Sequence, residues 1–214
     1  LILIVFLFLE FFSIEFPLNK IDIFHEGQKL SAPFKSFIDE KLWSGSFVTT
    51  GIINENLGVK FIWKILDHQS IGSMRYLHLI YILLFKLSLL ILIYLISKNI
   101  SLNQNLRFVF YSLSALLTLY LIDYDVGSAD VFSYRDLPII LCLIFFFKNL
   151  NNQKNINLSL ILIGLLSVLS FFWSIDRAII VNFLIIFIIL ILLLNNRYKI
   201  AISILVSIII FWLI

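Results

Sequence analysis

The stretch YLHLIYILLFKLSLLILIYLIS, residues 76–97, decides the class of this chain. Apart from His78 and Lys86 it carries no group that is charged near neutrality. It reaches the roughly 20 apolar residues needed to cross the hydrocarbon core of a bilayer. Polar and apolar residues do not alternate in it as they would in a barrel strand. An α-helix is then the structure that satisfies every backbone group in lipid. Similar runs recur at 158–175 and 178–194, and the 214 residues are 61% hydrophobic and 14% charged. The expected fold is all-α, a polytopic transmembrane helical bundle.

Seven spans can be drawn: 1–16, 76–97, 107–122, 131–147, 158–175, 178–194 and 200–214. The chain begins at Leu1 rather than Met and ends at Ile214 inside an apolar run. It therefore reads as a single transmembrane domain, 1–214, truncated at both ends. The first run lacks the basic start and small-residue cleavage site of a signal peptide, and Glu10 and Glu15 interrupt it. Cys142 is the one cysteine, so no internal disulfide and no thiolate metal site is expected. The net charge of +3 comes from scattered Lys and Arg, without the basic block that binds nucleic acid.

The connections sort by charge. Lys98 and Arg107 flank one, Lys148 and Lys154 another, Arg197 and Lys199 a third. The positive-inside rule assigns these to the cytoplasm. Alternation then puts 17–75, the acidic loop 123–136 and the Asp176-Arg177 turn together on the outer face. Richness in Ile, Phe, Asn and Lys fits an AT-rich bacterial genome, so the inner membrane is the expected location, with the acids facing the periplasm or exterior.

Residues 17–75 form a long outer loop too polar to span. Two amphipathic interfacial helices are expected within it. In Ser31–Trp43, Phe34, Phe37, Ile38 and Leu42 recur at helical spacing; in Asn54–Leu66, Leu57, Phe61 and Ile65 form a stripe, with Trp63 and Lys64 suited to the headgroup zone.

Carboxylates near hydrocarbon are expensive and point to function. Asp22, His25 and Glu26 share one face of a single helical turn, a short one given Gly27, where an acid beside an imidazole can serve as base or cation ligand. Asp123 and Asp125, with Asp130 and Asp136 behind them, can share a hard cation such as Mg or Mn through oxygen ligands. Arg135 and Arg177 offer planar forks suited to phosphate oxygens. His78 and Lys86 lie within a span, where Lys86 needs a partner or a polar interior.

This layout resembles the GT-C superfamily of membrane glycosyltransferases. It pairs a first outer loop with an acid at its start and amphipathic helices after it, then a second acidic loop between the third and fourth spans. The resemblance implies transfer of a sugar from a polyprenyl-phosphate-linked donor to a lipid or glycan acceptor. It implies Asp22, with Glu26, as the catalytic carboxylate, and Asp123 and Asp125 as metal or substrate ligands. Other classes compatible with the pattern are a small-molecule transporter or flippase, whose outer acids and intramembrane Lys86 and His78 would line a path, and a non-catalytic scaffold subunit.

Overall fold

The structure is a computed structural model that describes residues 8, 23–39, 51–100, 103–121, 134–151 and 157–214. Among these residues the fold is all-helical, without strands. In chain order the helices are α1 (Ile23–Ile38), a π-turn (Ile53–Leu57), α2 (Gly58–Leu66), α3 (Ile71–Asn99) and α4 (Gln104–Leu121). A 3-10 turn (Tyr134–Asp136) then leads into α5 (Leu137–Asn151), α6 (Asn157–Trp173), α7 (Ile175–Leu194) and α8 (Tyr198–Leu213).

Each expected span from 76–97 onward overlaps one of α3 to α8, with bounds that differ by up to six residues. The first, 1–16, lies outside the described residues except for Phe8. Two of the helices, α3 with 29 residues and α7 with 20, are long and apolar enough to cross a membrane. The apolar helices α6 and α8 are shorter. Among the described residues, two of the seven expected spans therefore coincide with a helix of crossing length and composition.

Local chemistry sets the ends. α3 starts at residue 71, ahead of the hydropathy boundary, because Ser70 and Ser73 cap it reciprocally: Ser73 N donates to Ser70 Oγ at 3.2 Å and Ser70 N to Ser73 Oγ at 3.3 Å. Asp67 closes α2 in the left-handed region at φ 49°. Between α6 and α7 a single extended residue, Ser174, turns the chain. At the end of α7, Asn196 at φ 58° does the same work before α8.

α5 is the central helix. Ile140 and Ile144 join α2 and α3 in one core, with Val59, Ile62, Met74, Leu77 and Phe85. Cys142 joins α6, α7 and α8 in a second, with Ile163, Val181, Ile185 and Ile204. The outer faces of α4, α7 and α8 leave bulky apolar residues exposed, among them Phe108, Leu117, Phe183, Phe187 and Ile210.

The polar loop departs from expectation in three places. α1 begins at residue 23 and runs through Gly27 and Pro33, so the turn holding His25 and Glu26 is a full helix rather than a short one. A Cβ at Gly27 would meet open space, and Pro33 sits inside the helix. The second amphipathic segment opens as the π-turn, which buries Asn54, Glu55 and Asn56. Its stripe of Leu57, Phe61 and Ile65 is exposed as expected, as are Phe34 and Ile38 of α1. Trp63 is buried instead, wedged against α3 with its indole N–H donating to the Ser70 carbonyl at 3.2 Å.

α6 and α8 are in close contact at Gly164. A Cβ there would collide with the Ser207 side chain and lie 2.8 Å from the Ser207 backbone carbon. Gly164→Val should force the helices apart and cost about 1–3 kcal/mol. The midpoint of thermal unfolding in detergent should fall, and Ser207→Ala should not restore it, because the backbone contact remains.

Candidate functional site

The starts of α3, α5 and α7 meet at one end of the bundle, and α1 lies across part of that end. The contacts that join them are polar and aromatic. α3 contributes Arg75, His78 and Tyr81, three and six residues apart and so spread over its first turns. The 3-10 turn contributes Tyr134, Arg135 and Asp136, and the α6–α7 turn contributes Trp173, Ser174, Asp176 and Arg177.

Arg75 grips Glu26 in a two-pronged ion pair, Nε to Oε1 at 2.5 Å and Nη2 to Oε2 at 2.9 Å. Both side chains are buried, exposed by only 9% and 4%. Held this way, the Glu26 carboxylate ties α1 to the start of α3. Lys29, one turn further along α1, donates to the Tyr134 hydroxyl at 3.3 Å and lies 5.8 Å from that ring's centroid.

An aromatic chain continues inward. Tyr134 stacks on His78 at 5.4 Å between ring centroids. Tyr81 lies 5.9 Å from Tyr134 and 6.4 Å from His78, and meets Trp173 edge-on at 4.8 Å. The residues leading into the π-turn close in from the side: Gly51 is pressed against the Trp173 carbonyl so tightly that a Cβ would collide with it.

Two Asp/Arg dipeptides cross-pair beside this chain. Arg135 Nη2 donates to Asp176 Oδ1 at 2.7 Å, and Ser174 Oγ donates to the same oxygen at 2.6 Å. In return Arg177 Nε lies 2.9 Å from Asp136 Oδ1 and 3.7 Å from Asp176 Oδ2. The contact to Asp136 is an ion pair by distance, without a well-aimed N–H bond. The clasp fastens the beginning of α5 to that of α7. Its halves differ in burial, since Asp176 is 50% exposed and Asp136 only 10%.

The residues expected from sequence fare unequally. Asp22, Asp123 and Asp125, and with them Asp130, lie outside the described residues. His25 falls in the first turn of α1, and its side chain is likewise outside the description. Glu26, Arg135, Asp136 and Arg177 come together at the same end, the two arginines engaged with carboxylates. Among the described residues no three metal-binding side chains gather. His68 is exposed, while Lys86 is fully buried at mid-helix in α3. Arg75, Lys29, Tyr134 and Trp173 were not expected here. For Arg75 the signal was present: RYLH at 75–78 puts a base and an imidazole one turn apart, and only the loop boundary drawn at residue 75 hid it.

No family model, curated protein or solved structure matches this chain.

Removing one member of a buried ion pair strands the other, typically at a cost of about 3–5 kcal/mol. Glu26→Leu or Arg75→Met alone should therefore lower the thermal midpoint sharply, whereas the two together should recover most of the loss. Additive losses in this double-mutant cycle would show that the two side chains do not act as a pair. Asp176→Asn, removing a half-exposed partner, should cost no more than about 1 kcal/mol in the same assay.

Proposed function

We propose that this chain is the transmembrane domain of a GT-C-like glycosyltransferase, moving a sugar from a polyprenyl-phosphate donor to an acceptor at the outer face of the membrane. The observation that carries the proposal is the paired and aromatic polar layer at one end of a largely apolar bundle, beneath helices whose apolar stripes face outward. A lipid-phosphate sugar needs that combination: hydrocarbon beside the bundle for the tail, cations for the phosphate, and a polar aromatic layer for the ring.

Membrane insertion is supported by the exposed bulky residues on α4, α7 and α8, far more apolar surface than a protein shows to water. The remaining short apolar helices would then complete the polytopic bundle around α3 and α7. The basic connections near Lys98, Lys148 and Arg197 lie at the opposite ends of these helices from Arg75, Asp136 and Asp176, which favours the cytoplasm for the former and the exterior for the latter.

Asp22 immediately precedes α1 in the chain, and the Glu26–Arg75 pair anchors that helix. In the proposed reaction the Asp22 carboxylate, with His25 beside it in sequence, takes the proton of an acceptor hydroxyl. The hydroxyl oxygen bonds to the anomeric carbon as the bond from that carbon to the phosphate oxygen breaks, and polyprenyl phosphate leaves. Charge gathers on the departing phosphate, where cationic stabilisation contributes most. Arg135 is suited to this because its partner Asp176 is half exposed and a phosphate can compete for the guanidinium. Arg177 would assist from the other half of the clasp. A divalent cation at Asp123 and Asp125 would add to the same effect.

Asp22→Asn should abolish transfer from the lipid-phosphate sugar in reconstituted vesicles while leaving the unfolding midpoint in place. Retained activity removes Asp22 from the reaction. Uptake of a sugar into the same vesicles without any lipid donor would favour a transporter. Orientation is checked separately with single cysteines, since Cys142 is buried. Gln69→Cys should react with an impermeant maleimide on intact cells, and Asn196→Cys only after permeabilisation.

A further inference from the structure

Polar atoms buried in a protein almost always find a partner, because an unmet one forfeits its hydration without return. The aromatic layer departs from this. His78 is fully enclosed, yet among the described residues neither Nδ1 nor Nε2 has a hydrogen-bond partner. Trp173 Nε1, across Tyr81 from it, is also buried and unmet. So is Asn54 Oδ1 of the π-turn, one turn on from the glycine pressed against Trp173.

The chemistry of these atoms narrows what they can hold. A neutral imidazole presents one donor and one acceptor, an indole one donor, an amide oxygen one acceptor. A cation would find the indole N–H and the nearby Lys29 against it. A phosphate would use the donors and be repelled by the acceptors. An apolar group would leave every one of them unmet. A hydroxyl both donates and accepts, and a ring bearing several of them also has C–H faces that pack on aromatic rings such as Tyr81 and Tyr134.

We infer that His78, Tyr81, Tyr134 and Trp173 form a subsite for a hydroxyl-bearing sugar ring, with the His78 nitrogens and the Trp173 N–H bonding its hydroxyls. The identity of the carrier as a lipid phosphate rests on the function proposed above; the preference for a sugar ring does not. His78 is here a binding residue with no part in proton transfer.

The test separates binding from chemistry. Purified protein in detergent micelles is titrated calorimetrically with polyprenyl phosphate alone and with its glucosyl, mannosyl and arabinosyl forms. The native protein should bind at least one sugar-bearing form roughly tenfold more tightly than the bare lipid phosphate, the yield of one or two hydrogen bonds. His78→Phe keeps a ring to stack on Tyr134 and removes both unmet nitrogens. It should unfold at the same temperature or higher, lose most of the sugar preference, and bind the bare lipid phosphate unchanged. Trp173→Phe, which removes the other unmet donor, should lose several-fold of the preference and serves alone if the first variant does not fold. Equal binding of bare and sugar-bearing forms by the native protein overturns the subsite, as does a preference that survives in a folded variant. A sugar preference of this kind without transfer to any acceptor would leave the subsite standing and remove the glycosyltransferase reading.

Discussion

The buried pair between Glu26 and Arg75 is the constraint on which the rest of this end of the molecule depends. Neither charge is stable there alone, so α1 and α3 must meet at that point or leave two desolvated ions behind. Once they meet, Lys29 arrives one helical turn on, opposite Tyr134, and Tyr134 in turn lies against His78. One ion pair between residues 49 apart thus sets the position of a layer that also draws on α5 and the α6–α7 turn. Apolar packing could not do this as selectively. The exposed stripes of α1 and α2 would sit equally well on any greasy surface, whereas a guanidinium fork accepts a carboxylate in one geometry.

The apolar remainder of the bundle works by a different rule. α5 faces α3 with one side and α6 to α8 with another, so both cores share it and neither can shift alone. Close helix contact at Gly164 adds a backbone-to-backbone approach that side chains larger than hydrogen would forbid. In a membrane, helices would gain no hydrophobic reward for associating, and such close contacts and the polar clasp at the helix starts would then fix register. Asp136 and Asp176 are well suited to that clasp because each lies at a helix beginning, where the backbone N–H groups favour negative charge.

Much of this was legible in the sequence, and the reasons differ by element. α3 to α8 followed from hydropathy because each coincides with a predominantly apolar run, although only α3 and α7 have the length and composition of a membrane crossing. The boundaries followed less well: α3 starts at residue 71 because of the Ser70–Ser73 cap, and hydropathy has no sensitivity to that bond. Residue type suits Trp63 to the headgroup zone, but a tryptophan with a carbonyl in reach of its N–H is also at home between helices. The site was legible only in outline. Charge sorting brought Glu26, Asp136 and Arg177 to one end without naming a contact. The partner of Glu26 lies 49 residues away in sequence, and no local pattern encodes that distance. The π-turn was invisible for the same reason, since its buried Asn54, Glu55 and Asn56 read as the polar face of an ordinary amphipathic helix.

The arrangement also bears on how an anionic substrate would enter. Three helices, α3, α5 and α7, begin at the site, so their N-terminal ends favour negative charge there. At two of them that charge is the protein's own, Asp136 and Asp176, each facing an arginine of the opposite dipeptide. A phosphate arriving at this end meets a position that already prefers an anion and is occupied by one. Exchange is easier at Asp176, half exposed, than at Asp136, which is nearly enclosed. The clasp can therefore yield one arginine to a ligand while the other still holds α5 against α7. In the proposed function Arg135 would meet the phosphate first and Arg177 would assist from the less exposed half of the clasp, an order that burial sets and that residue type alone could not reveal.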